Sequence, residues 1–289
     1  MSIYLLIAVL FWGFSYIAIK NSLNYLTPVE MIAARFVLGG LTLLAIIKFK
    51  RLSLGLAGQF KTLLLSALIL FVHFWIMATG MMTTSATNTA WILTTAPIFI
   101  AVLSFFWLKE KLEIKQGISI VLASFGVVML VSNGDLGSLD WIKSTGDWIV
   151  LGSCVTWAFY TIVTRKLTSK LNPLVGTFWM ITFAGIIIIP FSLMKNGIAS
   201  YNMPLDGIIS IIFLGIGCLA ISFWAWSEGL SKKPAAEVGM YLYIEPLFAM
   251  FGAAVLLHER MTIPIILGGL LILLAVYISE RKSKRNRKR

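Results

Sequence analysis

Apolar stretches of about 20 residues recur along the whole chain, and this feature restricts the possible folds more than any other. A helix of that length crosses about 30 Å of hydrocarbon. Only 12% of the 289 residues are charged, whereas a soluble domain carries about 25% charged residues. The chain cannot cover a globular surface with polar groups, so the sequence predicts an all-α protein that crosses a lipid bilayer several times.

Hydropathy predicts ten transmembrane helices joined by short connections. The longest connection, residues 133–146, is rich in Gly, Ser and Asp and divides the chain near its middle. The ten predicted spans are residues 3–22, 28–49, 61–81, 86–107, 114–132, 147–166, 173–195, 205–230, 235–257 and 263–280.

The distribution of Lys and Arg predicts the orientation of these spans. If the N-terminus is cytoplasmic, 19 of the 24 basic residues fall on the inner side and four on the outer side, while Arg35 lies within a span. Basic residues concentrate on the cytoplasmic side of membrane proteins. Both termini are therefore expected in the cytoplasm. The basic tail, residues 281–289, is interpreted as a cytoplasmic anchor that can contact anionic lipid, and not as a nucleic-acid-binding segment.

The second half of the chain repeats the first. Trp12 and Pro28 recur 145 residues later as Trp157 and Pro173. Six further residues recur at an offset of 149: Phe74, Trp75, Gly80, Ala86, Pro97 and Glu110 correspond to Phe223, Trp224, Gly229, Ala235, Pro246 and Glu259. The sequence thus predicts two five-helix repeats, residues 1–132 and 147–280. Because five is odd, the second repeat is inverted, an arrangement typical of transporters that bind solute near the midplane between the halves.

The repeated motifs resemble a known family. The sequence FWGFSY at residues 11–16, PVEMIAAR at residues 28–35 and the two Pro-to-Glu patterns are similar to those of the EamA-like, ten-helix group of the drug/metabolite transporter superfamily. The resemblance implies a plasma-membrane bundle of ten helices around a central cavity that opens alternately to each side. It also implies transport of small organic solutes, often amino acids or related metabolites, usually by export.

The repeat separates residues of the shared scaffold from residues present in one copy only. Pro97 and Pro246 occur in both copies and predict a bend in each helix, which either widens the cavity or flexes during transport. Glu110 and Glu259 also occur in both copies. Each precedes a new span, so each is expected to cap that helix and to form surface ion pairs with neighbouring basic residues.

Two charged residues within the spans lack a counterpart and are the leading candidates for substrate binding. Glu245 corresponds to Ala96 and is expected about 15 Å into its span. A carboxylate at that depth must be paired, protonated or hydrated; it either contacts a substrate or a proton, or is a neutral acid hydrogen-bonded to a neighbouring helix. Arg35 corresponds to Met180 and either reaches the outer surface, pairs with Glu245 or binds the carboxylate of a substrate.

His73 and several aromatic or amide side chains complete the predicted substrate-binding site. His73 is expected either to form an interhelical hydrogen bond or to contact the ligand. Tyr241 is expected one helical turn before Glu245 and on its face. The remaining candidates, which share faces of the first, fourth and sixth spans, are Tyr16, Asn88, Trp91 and Tyr160.

These features predict a transporter of small organic solutes that works by alternating access, with protons as a candidate coupling ion at Glu245. Uptake instead of export, or a non-transporting channel or scaffold, are the alternatives. An enzyme is disfavoured because the chain has neither a zinc-protease H-E-x-x-H nor a GxSxG or P-loop motif. No catalytic residue, cofactor or metal is expected, and two isolated cysteines do not form a disulfide framework.

Overall fold

The structure is a computed structural model, which describes residues 1–84, 86–132, 134–135, 137, 144–196, 203–256 and 262–281. Across these ranges the regular secondary structure is helical, which confirms the all-α prediction. The elements are α1 (Ile3–Ser22), α2 (Pro28–Phe49), α3 (Phe60–Thr83), α4 (Ala86–Leu93), α5 (Ala96–Leu108), α6 (Ile114–Ser132), α7 (Thr145–Thr168), α8 (Pro173–Asn196), α9 (Leu205–Ile212), a π segment (Phe213–Ile221), α10 (Ser222–Lys232), α11 (Ala235–Gly239), a 3₁₀ segment (Met240–Ile244), α12 (Glu245–Leu256) and α13 (Ile263–Glu280).

Nine helical stretches in the described ranges are long and apolar enough to cross a membrane. The predicted span at residues 235–257 is not among them. Its described residues form α11, the 3₁₀ segment and α12 in succession, so no single helix is long enough. The protein is therefore an α-helical, multi-pass membrane protein in which the predicted span at residues 235–257 is not one continuous helix.

Local sequence signals set the start of several helices. Thr27 accepts a hydrogen bond from the backbone N–H of Glu30, and the Glu30 carboxylate accepts one from the Thr27 N–H at 2.7 Å, which is a capping box. Pro28 follows at the first helical position, where its missing N–H costs nothing. Ser144 and Asp147 make the same capping box at the start of α7. These signals place the N-terminus of α2 at the predicted residue.

The two repeated prolines interrupt their spans at mid-depth. Helix α5 begins at Ala96, directly before Pro97, and α12 begins at Glu245, directly before Pro246. Proline has no backbone N–H, which is tolerated in the first turn of a helix because an N–H there has no partner within the helix. Proline also disfavours the helical conformation of the residue before it, so a new helix starts at this point. The predicted bends are thus breaks between two helices, and the loosened backbone is buried in protein, as a membrane interior requires.

Helices from the two parts of the chain pack against each other throughout the bundle. Helix α1 contacts the π segment, α10 and α12, while α7 contacts α3, α4 and α5. Helices α6 and α13 approach most closely where Gly126 and Gly268 meet. A Cβ atom at Gly126 would lie 2.8 Å from the carbonyl oxygen of Gly268. Absence of a side chain on both residues lets these two backbones touch.

Both ends of the described bundle lie at one face, which we call the terminal face. The Met1 ammonium is 2.8 Å from the Glu280 carboxylate, which also lies 2.9 Å from Lys233 Nζ. Tyr241 donates a hydrogen bond to Glu280 and accepts one from the Ser2 backbone N–H at 2.5 Å. These five residues, the terminal cluster, join α1, the link between α10 and α11, the 3₁₀ segment and α13.

Glu110 caps a helix, but not the one that follows it in the chain. Its two carboxylate oxygens accept hydrogen bonds from the backbone N–H of Ala235 at 2.9 and 3.2 Å, at the start of α11. Its ionic partner is Arg165, at 3.6 Å. The predicted partners next to it in sequence were wrong, because the helix end that approaches the carboxylate belongs to the other part of the chain. Glu259 and residues 282–289 lie outside the described residues.

Two basic residues at an offset of 145 make matching contacts at opposite faces. Lys20 Nζ donates to the carbonyl oxygen of Met81 at 2.8 Å. Arg165 Nη1 donates to the carbonyl oxygen of Leu230 at 2.6 Å. Since Met81 and Leu230 are 149 residues apart, both contacts follow the offsets found in the sequence. Each ties the end of one helix to a chain segment at the same face.

Candidate functional site

A cavity lies between α1, α2, α3, α7, α10 and the two broken spans. It contains about 560 Å³ of atom-free space, its open mouth included. Most of its wall is apolar and aromatic, as is usual for small-molecule sites. Its polar or aromatic lining residues are Trp12, Ser15, Tyr16, Arg35, His73, Phe74, Trp157, Phe223 and Glu245.

The cavity extends from mid-depth towards the face opposite the terminal face. Ile19 lies near the end of α1, Arg35 near the start of α2 and Met77 near the end of α3, and all three line the cavity. These helix ends lie away from Met1 and Glu280. The terminal cluster, in contrast, joins four elements at the other face. The arrangement corresponds to a conformation in which the terminal face is closed.

Glu245 is held at the cavity wall by Tyr16, whose hydroxyl donates to the carboxylate at 2.7 Å. The break before Pro246 makes Glu245 the first residue of α12. Glu245 is only 8% exposed. Gly13 permits this approach, since a Cβ there would lie 2.8 Å from the Glu245 carbonyl oxygen. No ion pair joins Glu245 to a described residue. The interhelical hydrogen bond that the sequence left as an alternative is therefore present.

Arg35 lies in the same cavity without an anionic partner in the described ranges. Its residue is 3% exposed, and its guanidinium carbon lies 4.6 Å from the centroid of the Phe74 ring. Its Nε and Nη1 atoms are buried and have no hydrogen-bond acceptor among the described groups. The expected pair with Glu245 is not formed. An arginine stays charged when buried, so the site is ready to receive an anion.

His73 bridges α3 and α7. Its Nδ1 lies 3.1 Å from the carbonyl oxygen of Ser153 and 3.2 Å from Thr156 Oγ1. A carbonyl oxygen only accepts, so Nδ1 carries a proton, and in the neutral ring Nε2 is an acceptor. The ring centroid is 5.2 Å from that of Trp157. His73 thus makes the predicted interhelical bond and also lines the cavity.

Four predicted site residues lie away from the cavity lining. Tyr241 belongs to the terminal cluster, since the 3₁₀ segment rotates it away from the face of Glu245. Asn88 donates to Asp147 at 2.5 Å and accepts from Trp91, so both side chains serve the contact of α4 with α7. Tyr160 is fully buried beside the Trp157 ring, at 5.2 Å. The cavity brings together only Tyr16, Arg35, His73 and Glu245 of the predicted set.

Four aromatic residues of the cavity were not predicted as site residues although the repeat marks them. Trp12 corresponds to Trp157, and their ring centroids are 5.2 Å apart. Phe74 corresponds to Phe223, and their centroids are 5.8 Å apart. Assigning every repeated residue to the scaffold missed them. Residues that meet their own counterparts lie where the two halves face each other, and this is where the cavity forms.

The arrangement can hold a small molecule that carries both charges. Arg35 offers a fixed cation, Glu245 a hydrogen-bonded carboxylate and His73 a neutral acceptor, while the aromatic rings offer apolar surface. The described residues contain no group of three or more His, Cys, Asp or Glu side chains that could hold a metal ion. The two cysteines are buried free thiols. The charged groups and aromatic rings of the lining suit binding by charge and by apolar contact.

Comparisons with known proteins agree with this picture. A family model described as the EamA-like transporter family matches residues 1–132 and 144–280. A protein of Archaeoglobus fulgidus named an uncharacterized transporter is 29% identical over 97% of this chain and 98% of its own length. A protein of Escherichia coli named a probable amino-acid metabolite efflux pump is 26% identical over 95% and 92% of the two chains. A solved crystal structure, 16% identical, superposes with a TM-score of 0.81 over 99% of this chain and 98% of that one, and so has the same fold.

Proposed function

Because the chain belongs to the EamA-like transporter family, we propose that it carries small zwitterionic solutes, amino acids or related metabolites, across the plasma membrane by alternating access. One observation supports the choice of a zwitterionic solute. Arg35 is buried in the cavity without an anionic partner in the described ranges, and Glu245 lines the same cavity without a cationic one. A solute with a carboxylate and an amine would satisfy both charges.

The repeat in the sequence, together with contacts that follow its offsets, supports the proposal of alternating access. The contacts of Lys20 and Arg165 follow the sequence offsets of 145 and 149, and they lie at opposite faces of the bundle. The pairs Trp12–Trp157 and Phe74–Phe223 meet at the cavity. Ten spans in two inverted halves around this cavity account for all of these contacts. Inverted halves can rock against each other around a fixed central site.

The direction and the orientation follow from separate observations. The terminal face carries both ends of the bundle, and the excess of basic residues in its loops supports a cytoplasmic position for this face. Export is the proposed direction, in line with the name of the Escherichia coli relative, a probable amino-acid metabolite efflux pump. Protons are the proposed coupling ion, because Glu245 can bind either a proton or the solute amine in a buried site.

Solute counterflow in proteoliposomes tests the proposal. Liposomes loaded with an unlabelled amino acid should accumulate the same labelled amino acid, saturably, through the purified protein. A channel would equilibrate the label without accumulation, and a scaffold would not move it. Either result, across a panel of amino acids and related metabolites, would exclude the proposed carrier.

The Glu245→Gln variant tests the site. The amide still accepts from Tyr16 but removes the negative charge, so counterflow should fall roughly tenfold to a hundredfold, the usual cost of a lost hydrogen bond to a charged group. Its pH dependence should also disappear. The control is Glu113→Gln, an exposed carboxylate paired with Lys115 at 3.2 Å, which should behave like the wild type. Wild-type rate and pH dependence in Glu245→Gln would refute a role for this acid.

A further inference from the structure

Buried hydrogen-bond donors without a partner lie beside the cavity, towards the terminal face. The indole Nε1 atoms of Trp157 and Trp226 and the Thr161 hydroxyl are fully buried, and no described group accepts from them. An unsatisfied buried polar group destabilises a protein, most of all where water is scarce. Three such groups in one region indicate a partner that this conformation does not provide.

Two of these groups, Thr161 and Trp226, lie one layer deeper than the cavity wall, and Trp157 belongs to the wall itself. Trp157 lines the cavity, and Thr161 lies about one helical turn further along α7 towards the terminal face. Phe223 lines the cavity, and Trp226 lies about one turn further along α10 in the same direction. The Trp226 ring is 5.6 Å from Trp157 and 5.3 Å from Trp12. Three indoles from α1, α7 and α10 thus separate the cavity from the terminal face.

The repeat explains why one of these indoles has a partner and its counterpart has none. Trp12 Nε1 donates to the carbonyl oxygen of Cys218 at 2.9 Å. That carbonyl is available because, at the end of the π segment, the backbone N–H of Ser222 bonds to Gly217 and Leu219 and not to Cys218. The residue equivalent to Cys218 is Ile69, in the uninterrupted helix α3. Its carbonyl oxygen already accepts within the helix, so Trp157 has no equivalent acceptor.

We propose that Trp157, Trp226 and Thr161 form a second solute subsite, on the terminal-face side of the central cavity, that binds the carboxylate of the solute when this face opens. The proposal rests on the proposed function. The two indole groups can only donate, and the Thr161 hydroxyl can also donate, so the subsite suits an acceptor such as a carboxylate better than an amine. A zwitterion that enters from the terminal face would meet these donors first. It would then pass its carboxylate to Arg35.

The subsite predicts an effect on one face of the membrane only. Trp226→Phe keeps an aromatic ring and removes the N–H, and Thr161→Val removes the hydroxyl at nearly constant shape. Each should raise the half-saturation concentration for an amino acid offered at the terminal face about tenfold, the usual worth of a hydrogen bond to a charged group. The half-saturation concentration at the opposite face should stay within twofold. The melting temperature of Thr161→Val should not fall, because the lost hydroxyl has no described partner in this conformation, whereas Trp226→Phe also removes buried ring volume and is judged by its half-saturation concentrations.

The measurement uses counterflow of radiolabelled L-phenylalanine, and of the transported members of an amino-acid panel, in right-side-out and inside-out vesicles. Trp224→Phe is the matched control, since its Nε1 already donates to Glu228 at 3.2 Å on the same helix. An equal shift at both faces, or none at either, would overturn the subsite while leaving the carrier intact. A lower melting temperature of Thr161→Val without a one-sided shift would mean that its hydroxyl holds structural water, and would also overturn the subsite. If the wild type transports no amino acid or related metabolite, the proposed function fails and the subsite with it.

Discussion

At the scale of single residues, the charged groups of the cavity are unevenly distributed over the repeat. Arg35 corresponds to Met180, a residue that is 1% exposed and does not line the cavity. Glu245 corresponds to Ala96, an uncharged residue that also lines the cavity. The scaffold therefore accepts an apolar side chain at both positions. A buried charge that the scaffold does not require is best explained by the ligand it binds.

The counterpart of Arg35 supplies its own test substitution. Arg35→Met copies Met180 and should leave expression and melting temperature close to those of the wild type. It removes a charged donor from the proposed carboxylate-binding site, so the half-saturation concentration of amino-acid counterflow should rise roughly tenfold to a hundredfold. Arg35→Lys keeps the charge but lacks the planar guanidinium, so its half-saturation concentration should lie between those of the wild type and Arg35→Met. If Arg35→Met melts far below the wild type and its surviving fraction transports normally, the guanidinium is structural.

At the scale of elements, the contact of Glu110 with the start of α11 connects distant parts of the chain. The carboxylate accepts from the Ala235 N–H and lies beside Arg165, so one side chain joins the end of α5, the end of α7 and the beginning of α11. Helix α11 is five residues long and has no side-chain cap of its own. A negative charge at its N-terminus offsets the unpaired N–H groups there.

Removing this cap should lower stability. Glu110→Ala is expected to lower the free energy of unfolding by about 1 kcal/mol, the typical value of an N-terminal helix cap. Thermal melting in detergent measures the change. Glu113→Ala is the control, since this carboxylate is 42% exposed and, among the described residues, pairs with nearby Lys115. Equal melting temperatures for the two variants would show that the contact of Glu110 with α11 contributes nothing measurable.

Local signals predicted most helix boundaries, while the position of side chains depended on contacts that the sequence does not contain. The bounds predicted for α1, α2 and α6 agree with the structure, and α2 follows directly from Thr27, Pro28 and Glu30. The breaks at Pro97 and Pro246 were anticipated as bends. Tyr241 was misplaced because a regular α-helix was assumed through the 3₁₀ segment, where the angle between successive residues is larger.

The candidate site was predicted only in part, because its side-chain positions also depend on contacts between helices. Asymmetry between the copies identified Arg35 and Glu245, since a charge within a span needs a purpose beyond the shared fold. Asn88 and Trp91 do share a helical face, but that face meets Asp147 on α7 instead of the cavity. Only the packing of α4 against α7 decides this. The aromatic pairs of the wall were visible in the repeat, but nothing in the sequence indicated that counterparts would touch.

At the scale of the whole molecule, charged contacts bridge the terminal face and hold several helices together. Glu280 receives the Met1 ammonium, Lys233 and the Tyr241 hydroxyl. Burial lowers the pKa of Lys233, but its hydrogen bonds to Glu237 and Glu280 outweigh this and raise the pKa above its ordinary value. The ammonium therefore stays charged at neutral pH, and its contribution is lost only as the pH rises through that raised pKa. In an alternating-access cycle these contacts must break whenever the terminal face opens.

Weakening the terminal cluster should shift the molecule towards opening at this face. Glu280→Gln removes the carboxylate of the terminal cluster, so backbone amides of the 3₁₀ segment, residues 240–244, should exchange hydrogen about tenfold faster, the equivalent of roughly 1.4 kcal/mol. Mass spectrometry of the exchanged protein measures this. Glu228→Gln is the matched control, because Glu228 pairs with Lys232 at 3.4 Å within one helix and bridges no elements by that contact. Unchanged exchange in Glu280→Gln, or an equal rise in Glu228→Gln, would show that the terminal cluster does not keep this face closed, and that the fully buried aromatic residues behind it, such as Trp226 and Tyr243, close it instead.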